Sequence, residues 1–106
     1  MLIVDQTNQP KPDPVKDWTQ QESVRRGGYI NYKRIDIRPV DYWDKAADWE
    51  FTRTSSTGNP LHVVKRGFIT AEDQAYGISW STSADDWERF KPDFQTILDG
   101  FQPAKS

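Results

Sequence analysis

"AADWEFTRTSSTGNPLHVVKRGFIT", residues 46–70, is the stretch on which the fold turns. Residues 46–52 alternate: Ala47, Trp49 and Phe51 fall on one side, Asp48, Glu50 and Thr52 on the other. A period of two is the pattern of a strand with one face in a core and one in water. "SSTGNP" (55–60) gathers the residues of a tight turn. "LHVVKRGFIT" (61–70) returns as a second β-branched strand, with Gly67 as the place for a kink. The whole stretch reads as a β-hairpin. It also carries a chemical question, because two carboxylates flank a tryptophan. Asp48 and Glu50 lie two residues apart, roughly 7 Å along a strand. The alternation sends them away from Trp49 and Phe51, onto a face expected to be wet and flat. Such a face does not create the environment that a general acid needs.

The reading extends outward on both sides. "GYINYKRIDI" (28–37) is another strand whose alternation slips midway, with Ile30 and Tyr32 on one face and Ile35 and Ile37 on the other. A bulge near Lys33-Arg34 would restore its register. "RPVDYWDK" (38–45) is a connection with two exposed aromatics, Tyr42 and Trp43. "AEDQ" (71–74) is a tight turn. In "AYGISWS" (75–81), Tyr76, Ile78 and Trp80 point inward. "LIVDQT" (2–7) is a short strand and "NQPKPDP" (8–14) a loop. Asp13-Pro14 is an N-cap followed by proline at the first helical position. That helix runs to about Arg25, with Val15, Trp18 and more weakly Val24 on its inner face, and Gly27-Gly28 ends it. Ser83 with Asp86 begins the last helical region, where Trp87, Phe90, Phe94, Ile97, Leu98 and Phe101 follow helical spacing. Pro92 is expected to start a second helix there after a short turn.

The order is β-α-β-β-β-β-α. Consecutive strands with short turns make an antiparallel meander. The expected class is α+β: a two-layer sandwich of about four to five strands covered on one face by both helices.

The 106 residues suit one domain over 1–106. Mean hydropathy is −0.87, but aromatics make up 13% of the chain. Large rings can supply a core that aliphatic residues do not. Net charge is −2 and the basic pairs Arg25-Arg26, Lys33-Arg34 and Lys65-Arg66 are scattered. No nucleic-acid footprint results. Cysteine is absent, which excludes disulfides, thiolate metal sites and thiol catalysis. No apolar run is long enough to span a bilayer, so no direct membrane insertion by this segment is expected. A strand starting almost at the first residue implies a fragment of a longer protein, with any anchor or partner domain outside it.

No catalytic or metal constellation emerges. His62 is the single histidine, and no G-x-S-x-G elbow accompanies it. No acidic calcium loop is present. "SADDWE" suits a helix N-terminus, where negative charge meets the helix dipole. Neither a metal nor a cofactor is expected. Tyr42 and Trp43 are the candidate ligand-binding residues, as an aromatic platform in a connection.

"AADWEF", the "HVVKRGF" strand, "AYGISWS" followed by an acidic "DW", and the closing "F…IL…F" carry a resemblance over roughly residues 29–101. This stretch resembles the extracytoplasmic C-terminal domain of actinobacterial membrane serine/threonine protein kinases and related lipoproteins, a PsbP-like, LpqN-like α/β sandwich. In that family further strands precede the segment equivalent to "LIVDQT". The resemblance implies a non-catalytic sensor or ligand-binding domain at the cell surface, coupled to a kinase outside these residues. Its partner would be an extracellular ligand or protein. A protein-interaction and assembly module of PsbP-like type is the alternative. A small hydrolase using Asp48, Glu50 or Asp86 is a third reading and requires a closed cleft over those acids. A sheet edge left unpaired invites self-association.

Overall fold

A computed structural model describes residues 2–7, 13–71 and 74–101. Five strands, β1 (Leu2–Thr7), β2 (Ile30–Val40), β3 (Lys45–Thr54), β4 (Pro60–Ala71) and β5 (Gln74–Ser83), form one antiparallel sheet in the order β1-β5-β4-β3-β2. Two helices, α1 (Pro14–Arg25) and α2 (Trp87–Gly100), complete the α+β fold. Strands β2 to β5 are the expected meander. β1 joins its far side, so α1 carries the chain from one sheet edge to the other.

The hairpin of β3 and β4 closes at Ser55–Asn59. The Ser55 and Gly58 amides donate to the Asn59 and Ser55 carbonyls at 2.8 and 2.9 Å, and Gly58 takes φ +89°. Only glycine adopts that conformation readily. The turn expected at residues 71–74 includes residues 72 and 73, which lie outside the described residues.

Helix α1 starts as its sequence dictates. Asp13 Oδ1 accepts from the amides of Val15 and Lys16 at 3.0 and 3.2 Å, and Pro14 opens the first turn. Its inner face differs from expectation: Val24 is 74% exposed, and the buried position is Glu22. Trp18 is the apolar anchor. Its indole N–H donates to the Ala47 carbonyl at 2.9 Å, and its ring lies against Trp49 at 5.7 Å. Ala47 sits opposite Pro39, which has no N–H to offer. Gly67 is not a kink, because pairing runs through it without a shift on both sides. A Cβ there would stand 3.0 Å from the Trp18 ring, so the glycine permits the helix to approach the sheet.

The expected single bulge in β2 is two. Register shifts lie between Ile30 and Lys33 and between Arg34 and Asp36. They turn Tyr32 and Ile37 into the core together and leave Ile30 and Ile35 about half exposed. Each extra residue rotates the following side chains to the other face.

The helices do not share a face. Adjacent β4 residues Val63 and Val64 are both buried, and they belong to different cores. Trp49, Phe51 and Val63 pack with Trp18 of α1, Tyr29 and Tyr32. Ala46, Val64, Phe68, Tyr76 and Ile78 pack with Trp87, Phe94 and Leu98 of α2. Successive strand residues point to opposite sides, so the sheet lies between the two helices. The expected two-layer sandwich is thus corrected to three layers, because both faces carry large apolar side chains that must leave water.

Helix α2 is one helix, not two. Pro92 lies inside it, and a short 3-10 turn at Ala84–Asp86 leads into it. Proline there removes one hydrogen bond, to the carbonyl of exposed Glu88, where water can replace it. Meanwhile Trp87, Phe94 and Leu98 hold a continuous buried stripe. Ser83 Oγ bonds Asp86 Oδ2 at 2.8 Å rather than a backbone amide of the turn.

Candidate functional site

Strand register places Asp48 directly between Arg38 of β2 and Arg66 of β4. Glu50, two residues on, shares their face. That face is the one α2 packs against, so these acids are not on open sheet. Asp48 is 3% exposed, which overturns the expected wet face. The reason is the second helix layer.

The result is a row of charge across three strands. Arg66 grips Asp48 in a two-point contact, Nε to Oδ1 at 2.7 Å and the terminal nitrogen to Oδ2 at 2.9 Å. Arg38 reaches Glu50 Oε1 at 3.0 Å, with Asp48 Oδ2 at 3.6 Å and Asp36 at 3.9 Å. His62 of β4 donates from Nε2 to Glu50 Oε2 at 2.6 Å. Its ring stacks on Trp87 of α2, centroids 3.7 Å apart and planes 2° apart. Guanidinium–carboxylate forks are the geometry that keeps buried charge tolerable. Each oxygen of Asp48 and Glu50 has a donor.

Beside this row opens a cleft of about 490 Å³ between the sheet and α2. Arg38, Asp48, Glu50 and Arg66 form its charged floor, and Trp87, Phe94 and Leu98 its apolar wall. Glu88, Lys91 and Gln95 stand along the helix side. This size and mixture suit a small organic ligand held by apolar contact and oriented by a few polar groups. No cluster of three metal-ligating side chains occurs among the described residues.

Tyr42 and Trp43 are not among the residues that line the cleft, and their surroundings differ. Tyr42 is not exposed as expected. Its ring meets Phe68 edge-on at 4.8 Å, and its hydroxyl donates to the Leu98 carbonyl at 2.6 Å. That bond satisfies a carbonyl in the last turn of α2, where intrahelical donors run out. Arg66 lies over the Tyr42 ring at 5.0 Å. Burial pushes the Tyr42 hydroxyl above its usual pKa. Trp43 is 46% exposed and takes φ +54°, a left-handed conformation that costs a bulky residue. Asp86 bonds Ser83 and does not line the cleft.

Sequence reasoning missed Arg38, Arg66 and Trp87 as cleft residues. The signal existed in the hairpin: a turn pairing Thr54 with Pro60 also pairs Asp48 with Arg66. The position of α2 over that pair had no comparable signal.

A second buried acid ties the other helix down. Glu22 of α1 accepts from Tyr32 Oη at 2.5 Å and from Arg34 Nε at 2.6 Å, and a further Arg34 nitrogen completes the fork. The Trp49 indole N–H donates to Tyr32 Oη at 3.0 Å. The Arg34 guanidinium holds the Glu22 carboxyl below the usual range despite burial. Burial, reinforced by Glu22, pushes the Tyr32 hydroxyl up to about 12.

Comparison with known structures bears out the fold. A protein of unknown function from Pseudomonas aeruginosa, PA94, superposes with a TM-score of 0.73 at 9% identity, over 100% of this chain and 85% of that one. The solution structure of cyanobacterial PsbP (CyanoP) from Synechocystis sp. PCC 6803 gives 0.69 at 16% identity, over 97% of this chain and 66% of that one. At such identities the likeness concerns the fold alone. No curated protein matches in sequence. Residues 1–103 match the family described as the serine/threonine kinase C-terminal domain.

Proposed function

The chain belongs to the serine/threonine kinase C-terminal domain family, and from that premise we propose that it is a non-catalytic sensor domain which binds its ligand in the cleft under α2. The kinase or lipoprotein that carries it is anchored in a membrane, and the domain stands on the extracytoplasmic side. No helix among the described residues is long and apolar enough to cross a membrane, so the anchor belongs to another part of the parent.

The observation that carries this reading is the cleft itself. It joins an apolar wall to a floor of charges already compensated within the protein. A floor of that kind orients a ligand through its polar groups while the apolar wall supplies contact. Tyr42 contacts the cleft-lining Arg66 and Leu98, and the exposed ring of Trp43 beside it offers an aromatic surface for sugar rings. Glycans and peptidoglycan fragments are the first ligands to test. Trp87 lines the cleft, so indole fluorescence should respond saturably. A Trp43→Ala variant should weaken that binding. A flat titration with every fragment, or a parent gene encoding neither a membrane anchor nor a kinase domain, defeats the proposal.

The exposure and left-handed backbone of Trp43 favour a second reading, a protein-interaction module of PsbP-like type. In that reading Trp43 contacts a partner protein, and the outer edges at β1 or β2 provide for self-association. Partner binding that survives Trp43→Ala intact would count against it.

A further inference from the structure

The lining of the cleft under α2 holds three charged side chains of each sign: Arg38, Arg66 and Lys91 against Asp48, Glu50 and Glu88. Four of them answer one another within the sheet, Arg66 to Asp48 and Arg38 to Glu50. The other two, Glu88 and Lys91, stand on the helix. Among the described residues, neither makes a hydrogen bond or an ion pair. They are i and i+3 on α2, the spacing at which a glutamate and a lysine ordinarily meet. Here they do not meet, so one acid and one base are left for a bound molecule. Pro92 adds to the acid's side. It also lines the cleft, and it has no N–H to give the Glu88 carbonyl. Glu88 therefore keeps acceptor capacity on its backbone as well as on its side chain. Behind this rim lies the apolar wall of Trp87, Phe94 and Leu98.

We infer, on the reading of the α2 cleft as the ligand site, that its ligand is a zwitterion with an apolar body: an amino acid or dipeptide with a bulky apolar or aromatic side chain. The ammonium goes to Glu88, the carboxylate to Lys91, and the side chain to the apolar wall. Three features carry the inference. First, the two charges left unpaired are one of each sign, so a ligand with a single charge would leave one of them unanswered. Second, an i, i+3 pair on a helix has its Cβ atoms only about 5–6 Å apart. Two charged groups on one small molecule can therefore reach both side chains, each in a charge-assisted hydrogen bond. Third, the charges of the lining sum to zero, so a ligand of no net charge meets no excess of either sign. The volume of about 490 Å³ lies within the range of small-ligand sites and leaves room for a second residue beside the first.

Backbone amide NMR titration of the chain tests this, with phenylalanine in one arm and leucyl-phenylalanine in the other. At least one should saturate, with shifts gathered around Trp87, Glu88, Lys91 and Phe94, and the tighter of the two tells amino acid from dipeptide. Blocking either end of that ligand, by N-acetylation or as the C-terminal amide, should weaken binding about tenfold, the effect of losing one charge-assisted bond. Glu88→Gln should weaken the zwitterion by a similar factor and leave the N-acetylated form unchanged. Lys91→Gln should weaken the zwitterion likewise and leave the amide unchanged. A general loss of structure would not produce that crossed pattern. Arg53→Gln, on the α1 side of the sheet beside Tyr29, should leave every affinity as it is. Blocked forms that bind as tightly as the zwitterion, variants without the crossed pattern, or no saturation by either zwitterion would overturn the proposal. In the last case, saturation by a peptide-free glycan would keep the α2 cleft as the ligand site, and no response to either kind of probe would defeat both readings together.

Discussion

The two faces of the sheet each bury a carboxylate against arginine, and they do so in opposite ways. On the α1 face the acid is on the helix. Glu22 reaches down to Tyr32 and Arg34 on the edge strand β2, and Arg34 remains 47% exposed. On the α2 face the acid is in the sheet. Asp48 sits mid-strand between Arg38 and Arg66, and Arg66 is only 14% exposed. The first arrangement fastens a helix; the second builds a floor on which α2 rests through apolar contacts and the His62–Trp87 stack. A partly exposed guanidinium can return to water when its partner is lost. A buried one cannot, and that difference sets the size of the expected effects.

The largest effect is expected for Asp48→Ala. It leaves Arg66 buried without its partner and Arg38 with one acid fewer, so urea unfolding should show a loss of about 3–5 kcal/mol. A loss under 1 kcal/mol would mean that the arginines swing out freely and that the floor is not fixed. Gly67→Ala comes next. Its Cβ pushes on the Trp18 ring, strains the indole bond to Ala47, and should cost about 1–3 kcal/mol. Thermal unfolding of Gly67→Ala unchanged from the parent would show that α1 sits more loosely than described.

The smallest effects are expected in the pH dependence of the α1 face. The folded Glu22 carboxyl is held below its ordinary range by Arg34. Its contribution is therefore present above the unfolded carboxylate pKa and fades as pH falls through the lower folded value. The Tyr32 hydroxyl is raised from 10.0 to about 12. Its contribution is whole below about 10 and is lost as pH rises from there through about 12. Tyr32→Phe should shrink that alkaline loss, with a remainder from Tyr42, which burial also raises. Stability measured from pH 8 to 12 checks this, and an unaltered alkaline slope in Tyr32→Phe would remove Tyr32 from the account.

Much of this was legible in the chain. Asp13-Pro14 marked the start of α1 to the residue, because a cap and a preset φ act locally. "SSTGN" fixed the hairpin, and with it the pairing of Asp48 with Arg66. Tyr76, Ile78 and Trp80 faced inward as the alternation required. Where local pattern competed with packing, it misled. Pro92 looked like a helix start, yet the buried stripe on either side kept one helix. Val24 looked like a contact, yet Glu22 took the inner position once Tyr32 and Arg34 were there to meet it.

By itself the sequence determined the strands, the start of α1, the order of the elements, and the turn and register of the central hairpin, since these depend on neighbours within a few residues or on a short loop. Only the tertiary structure decided that the helices take opposite faces. That depends on which apolar surface each helix meets after the chain has crossed the sheet. It is also what turned Asp48 and Glu50 from an expected wet face into the floor of a cleft.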